Sequence, residues 1–358
     1  MTGERNSSKK ATKPGGGRRR SGKAPAPSVD VQAFVVRSTD YRDSDRIVTL
    51  ITNALGKVSV IARGARKAKR RQAGCLAPYS MLKVRLSGRV GHNRLWHLGD
   101  CRTIEAYPNI QASLPKLALA GYFSEVCRDS VAEHHPEPEV FQLLRQSFQL
   151  MQTGTPTRAM VRAFEMTLLR ILGLAPNVTH CVGTIDQACG ALLGPIVSGG
   201  ETEPTGYSTP EQSGSADVRP YGFSTARGGL LCPDCARREP CIPLDDQAIL
   251  AFQSIDRLSM AEAATMRPDL PETVNGQLRV ALLDRILDLV GHPLKSVLFI
   301  EKLKLDKMKA NMEQSDEGHK GANAPSQQAG QVPISTDGAP SDDTDDTERP
   351  PSSQGGAS

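Results

Sequence analysis

Aromatic residues are scarce in this chain. Phe, Tyr and Trp make up 4% of its 358 residues, and tryptophan occurs once, at Trp96. A surface that grips nucleobases by ring stacking needs more platforms than Trp96, Tyr41 and Tyr79 can provide. Any polyanion it holds is therefore expected to be held by charge. Long apolar runs are missing as well, and none approaches the roughly 20 residues that span a bilayer as a helix. The first residues are basic with no apolar stretch behind them, which reads against a secretory signal. No membrane partner is expected, and the expected compartment is the cytoplasm, where thiols stay reduced. A Walker-type phosphate loop, a Gly-x-Ser-x-Gly elbow and a His-Glu-x-x-His helix are all absent from the sequence. The chain reads as a binding protein and not as an enzyme.

What is present is unevenly charged. The net charge of +5 conceals a head of about +7 over residues 1–28 and a tail of about −7 from residue 310 onward. Neither end carries an apolar pattern able to offset the entropy of ordering. Residues 1–28 are expected as a disordered basic extension and 308–358 as a disordered acidic tail. That tail, through Asp342–Glu348, could fold back and compete with a polyanion. Between the ends lie enough residues for two modest cores.

The first of these is strand-like. Gln32–Ser38, Arg46–Thr52 and Lys57–Arg63 are rich in Val, Ile and Thr, with a turn at Thr52-Asn53-Ala54-Leu55-Gly56. Tyr79–Ser87 alternates: Leu82, Val84 and Leu86 face one way, Met81, Lys83 and Arg85 the other. With Arg94–Arg102 this gives five strands over residues 29–107, and a five-stranded OB-fold β-barrel is the expected solution. The period then turns helical over Leu114–Ala132, Pro138–Met151, Pro156–Leu172, Asp245–Ser259, Leu278–Leu289 and Pro293–Leu305. The expected fold class is α+β: the barrel, then an all-α domain over 108–307 with a metal knuckle inserted at 180–241. Residues 197–219 read as a long exposed loop.

Three features could carry chemistry. Arg63-Gly64-Ala65-Arg66-Lys67-Ala68-Lys69-Arg70-Arg71 joins two strands with cations separated by small residues. Such a segment can follow a phosphate backbone and release counterions, giving salt-sensitive, sequence-indifferent affinity. Arg63, Arg66, Lys67, Lys69, Arg70 and Arg71 are the candidate nucleic-acid contacts, extended by Lys83 and Arg85; Arg89 and Arg94 could add to the surface. The second feature is Cys232-Pro233-Asp234-Cys235, a turn that offers two thiolates to one ion. Cys181 and Cys189 complete a candidate set for structural Zn²⁺, with His180 and Cys241 as possible substitutes; Cys75, Cys101 and Cys127 read as core. The third is Asp40, Asp43 and Asp45. Clustered carboxylates can hold Mg²⁺ for nuclease chemistry, with Asp43 and Asp45 as the residues to change. A strand turn with Arg42 and Arg46 pairing locally is the plainer reading. His134 and His135 read as a helix end.

The order of these segments resembles the bacterial RecO family of recombination mediators over about residues 29–306. The resemblance rests on Tyr41–Arg46 before Ile47–Thr52, Gly56–Val60 before Arg63-Gly64-Ala65-Arg66, and Arg162-Ala163-Phe164-Glu165 before Leu172-Gly173-Leu174-Ala175-Pro176. The cysteine knuckle and Leu289-Val290-Gly291-His292-Pro293-Leu294-Lys295-Ser296 complete it. Cys181 and Cys189 are further apart than the Cys-x-x-Cys common in the family. The resemblance implies an N-terminal OB domain, a helical domain and a zinc knuckle. It further implies a nucleoid-associated, non-enzymatic repair role: binding single- and double-stranded DNA, annealing complementary strands, and working with RecR to help load RecA on SSB-coated DNA. The helical domain would receive the acidic, apolar-ended SSB tail. The alternative is a zinc-stabilised nucleic-acid adaptor outside recombination, for instance in RNA handling.

Overall fold

Period-two alternation of Val, Leu and Ile gives each early strand one apolar face, and closure buries that face without leaving an edge. In the computed structural model, which describes residues 27–66, 75–88, 95–184, 188–193 and 221–306, five strands do this. They are β1 (Ser28–Tyr41), β2 (Asp45–Thr52), β3 (Gly56–Ala62), β4 (Met81–Ser87) and β5 (Trp96–Glu105), closed in the order β1-β2-β3-β5-β4. β1 serves two neighbours: its first half pairs with β4 and its second half with β2, with a bulge between Val35 and Arg37. The seam is short and parallel, Val60 opposite Trp96 and Ile61 opposite His97. Val35, Val48, Leu50, Val60, Leu82 and Val84 fill the interior together with Trp96.

The expected turn after β2 is present. The Thr52 hydroxyl accepts from the Leu55 N–H at 2.8 Å and donates to the Gly56 carbonyl at 2.9 Å. Gly56 sits at φ +66°, where a Cβ would collide with the His135 carbonyl. His134 and His135 therefore do not end a helix, as the sequence reading had it. They lie beyond the helix terminus at Ser130 and press on this hairpin, the His134 N–H donating to the Lys57 carbonyl at 2.9 Å.

The outer face of the barrel is not all solvated. Phe34, Ile51 and Met81 point away from the barrel interior into a second core made by helices. Met81, expected outside with Lys83 and Arg85, is 1% exposed because the helices cover that end of β4. Those helices are α1 (Pro108–Gln111), α2 (Leu114–Ser130), α3 (Pro138–Thr153), α4 (Arg158–Ile171), α5 (Pro233–Arg238), α6 (Asp246–Arg257), α7 (Met260–Thr265) and α8 (Glu272–Val290). A further helix, α9, runs over residues 295–306. Phe34 meets Phe141 and Phe148 with ring centroids at 5.1 and 5.4 Å, and Phe123 stacks on Phe164 at 3.9 Å.

The domain after the barrel is not purely helical. Beside the cysteines lies a three-stranded sheet of order β7-β6-β8, from β6 (Tyr221–Ser224), β7 (Gly229–Leu231) and β8 (Ile242–Leu244). Each strand is too short to show a period. The charged head before residue 27, the acidic tail after 306, Lys67, Lys69, Arg70, Arg71, Arg89, Arg94 and the loop over 197–219 lie outside the described residues. Among the described residues no helix is long and apolar enough to cross a membrane.

Candidate nucleic-acid interface and metal centre

β3 runs straight into the basic segment, and the β1–β2 turn holds its first residues. The Gly64 N–H donates to Asp45 at 2.7 Å, and the Arg66 N–H donates to the Ser44 carbonyl at 3.1 Å. Gly64 lies at φ +66°, so the chain reverses there without strain. The Gly64 amide, helped by Ser44 and nearby Arg63 and Arg42, holds the Asp45 carboxyl below its ordinary range. Asp40 pairs with Arg46 at 3.0 Å and Arg66 at 3.6 Å. Arg42 lies over the Tyr41 ring, 5.1 Å from its centroid, and its carbonyl accepts from Arg66. These carboxylates brace the turn, and among the described residues they form no group able to hold a metal ion. Arg63 and Arg66 are thus fixed at one end of the barrel. Trp96, the one indole, is 4% exposed in the interior and offers no platform.

On the outer face of β4, Arg85 forms two bonds to Asp30, at 2.8 and 3.0 Å. Lys83 projects from the same face and is exposed. The Arg85 charge is offset on site, and that of Lys83 is not.

The metal centre is built from two turns. Pro233 occupies the first position of α5, and Cys232 immediately precedes it, so Cys232 and Cys235 lie one helical turn apart with their thiols on one side. The other turn is closed by Cys189 N–H to Gly183 carbonyl at 2.8 Å and Cys181 N–H to Ala191 carbonyl at 2.8 Å. Gly183 passes so near Cys235 that a Cβ would collide with its sulfur. The four sulfurs lie within 4.8 Å of one another, with Cys189 and Cys232 at 3.9 Å. Tetrahedral thiolates about 2.3 Å from zinc stand about 3.8 Å apart, so the donor set fits. The Cys181 sulfur accepts N–H bonds from Cys232 at 3.2 Å and Gly183 at 3.4 Å, the kind of bond that orients and stabilises a ligating thiolate. Burial pushes the Cys181 and Cys235 thiols up, whereas a backbone amide pulls Cys189 down. Crowded thiols of this kind ionise together only around a cation. His180 bonds Thr179 and Cys241 bonds the Ala236 carbonyl, so neither substitute joins the cluster. Cys127 is core; Cys101 is half-buried in β5, and half-buried Cys75, ahead of β4, bonds the Cys101 carbonyl.

A third site was not legible in the sequence. Helices α2, α4, α8 and α9 surround a cavity of about 170 Å³ with Arg158, Arg279 and Lys304 at its lining and Leu119, Val161 and Ile300 among its apolar walls. At its floor Arg162 and Glu165 are 5% and 1% exposed and pair at 3.0 Å, and Tyr122 donates to Glu165 at 2.7 Å. Burial pushes the Glu165 carboxyl up against the pull of Arg162. Arg162 Nε and Nη1 are buried with no acceptor among the described residues. The signal available was an Arg-x-x-Glu pair on an otherwise apolar helical stripe; nothing in it points to a cavity.

Known proteins resemble this chain in sequence. The family described as Recombination protein O N terminal matches residues 28–107, and that described as Recombination protein O C terminal matches residues 111–296. DNA repair protein RecO of Anaeromyxobacter sp. (strain Fw109-5) is 33% identical over 271 residues, 75% of this chain and 94% of that protein. DNA repair protein RecO of Myxococcus xanthus (strain DK1622) is 30% identical over 280 residues, 77% and 98% of the two chains. The Listeria monocytogenes serotype 4b (strain CLIP80459) protein of the same name is 28% identical over 208 residues, 58% and 69%.

Proposed function

The chain belongs to the RecO family of DNA repair and recombination proteins, and from that premise we propose that it anneals complementary DNA strands and, with RecR, assists RecA loading on SSB-coated DNA. The observation that carries this reading is the fixed departure of the basic segment from β3 at one end of a closed barrel. Two strands repel each other, and cations that neutralise one let the other approach. Base edges stay free because backbone contacts do not occupy them. Arg63, Arg66, Lys67, Lys69, Arg70 and Arg71 do this work, with Lys83 adding to it and Arg85 contributing least because Asp30 already offsets it. Single- and double-stranded DNA both offer the needed phosphates. The protein acts in the cytoplasm, at the nucleoid.

The cavity between α2, α4, α8 and α9 suits the acidic, apolar-ended SSB tail. Its walls take an apolar side chain, and Arg162, with Nε and Nη1 unpartnered among the described residues, takes a carboxylate, while Arg158 and Arg279 at the lining already pair with Glu272 and Glu301. Cys181, Cys189, Cys232 and Cys235 would hold Zn²⁺, which when bound cross-links the two turns and performs no chemistry on DNA. The domains follow the same boundaries: the barrel over 29–107, and the helical part with its knuckle over 108–307.

The test is annealing of SSB-coated complementary oligonucleotides by the full chain without ATP, scanned over salt, with zinc measured on the same sample. We expect annealing that falls steeply with salt, and a flatter salt slope when Arg63, Arg66, Lys67 and Lys69 are replaced by Ala. A folded, zinc-loaded sample that does not anneal would instead favour the adaptor role, and preference for RNA would strengthen that outcome.

A further inference from the structure

We propose that Lys83 and Arg102 form a phosphodiester-binding position on the outer face of β4 and β5, distinct in its residues from the basic run that begins at Arg63. The proposal rests on the DNA-binding reading above and deepens it, by assigning Arg102 a backbone contact beside Lys83.

The register makes the case. Lys83 stands directly opposite Arg102 across the β4–β5 ladder, and both side chains are exposed. Directly opposed residues in a ladder have Cβ atoms about 5 Å apart, and like charges there are destabilising. Elsewhere on the same surface Asp30 and Glu105 already have cations, and Asp100 forms no ion pair with Arg102. Asp30 places both carboxylate oxygens on Arg85, so Lys83 acts on it only through space. Asp100 acts on Arg85 only through space. Glu105 is bonded by Arg145, Tyr107 and Gln149. On the other side, across the β1–β4 ladder, Lys83 faces neutral Gln32. Among the described residues no carboxylate pairs directly with Lys83 or Arg102, and a phosphate set between them would cancel the repulsion and accept from both.

Arg102 was not among the residues singled out in the sequence. The β4–β5 register shifts between Val84 and Leu86, so strict alternation from Trp96 does not reveal which face Arg102 takes.

The experiment measures binding of a fluorescein-labelled oligothymidine to the full chain by anisotropy, between about 50 and 200 mM salt. Lys83→Gln with Arg102→Gln should weaken binding several-fold at the lower salt. It should also lower the log–log salt slope by roughly 0.7 for each phosphate released. Arg102→Gln should reduce the slope more than Arg85→Gln does. Lys83→Glu should raise the urea midpoint of unfolding, because it pairs with Arg102, while weakening binding; this separates charge placement from loss of fold. An unchanged slope in the double variant, or an Arg85→Gln effect as large as that of Arg102→Gln, would overturn the proposal while leaving the family reading intact. A wild-type chain that fails to bind the oligonucleotide would overturn both.

Discussion

Cys235 has its thiol pushed up by burial among three other cysteines, and a group in that position is best relieved by a cation. Replacing Cys232 or Cys235 by Ser should abolish bound zinc, measured by atomic absorption, and lower thermal stability. Cys241→Ser and His180→Ala should leave the metal content unchanged, because neither side chain joins the cluster. Asp45 carries a different consequence. Its folded pKa lies below the ordinary value of 3.8 because the Gly64 N–H favours the charged form. Its stabilising contribution is therefore complete above the unfolded pKa, and is lost as pH falls through the folded one. The urea midpoint of the wild type should drop on acidification below about pH 4, and Asp45→Asn should flatten part of that drop without introducing DNA cleavage. At this scale the sequence was partly legible. A Cys-x-x-Cys turn declares itself by spacing, and clustered Asp residues between strands suggest a turn. The choice of Cys181 over His180 rests on which group the Ala191 and Leu230 contacts turn inward, and no local pattern encodes that.

Between elements, the most informative joint is the start of α4. Thr157 accepts from the Met160 N–H at 3.0 Å, capping α4, and its hydroxyl donates to the Ala263 carbonyl of α7 at 2.7 Å. Thr157→Ala removes the cap and leaves a buried carbonyl without its donor, so about 1–3 kcal/mol should be lost. Urea denaturation would measure it, and Thr157→Ser should restore most of the loss. The main helices were legible because apolar residues recur at helical spacing and Pro marks their starts, as at Pro138 of α3. α7 was not, since Met260–Thr265 is too short for a period and shows itself only by the Ser259–Glu262 capping box. Strands β6 to β8 were hidden for the same reason. Met81 was misassigned because alternation identifies a strand's two faces and cannot say that a helix will cover one of them.

For the molecule as a whole, the two cores meet. Phe34, Ile51 and Met81 of the barrel belong to the same apolar cluster as the helices, and Cys181, Cys232 and Cys235 lie in that cluster too. Barrel and helices should therefore unfold together. Fluorescence of Trp96, which reports the barrel, and far-ultraviolet circular dichroism, dominated by the helices, should give coincident transitions in urea. A chelator should shift both to the same extent. Two separate transitions would mean that the contact through Phe34 is too weak to couple them. The seam of the barrel bears on how such a unit is assembled. Val60 and Trp96 are distant in sequence, and among the described residues the ladder that joins their strands holds only the pairs Val60–Trp96 and Ile61–His97. The chain must close a long loop before that small reward arrives. The seam would then be the last part of the barrel to form and the first to open, so its amides should exchange with solvent earlier than those of β1 and β2.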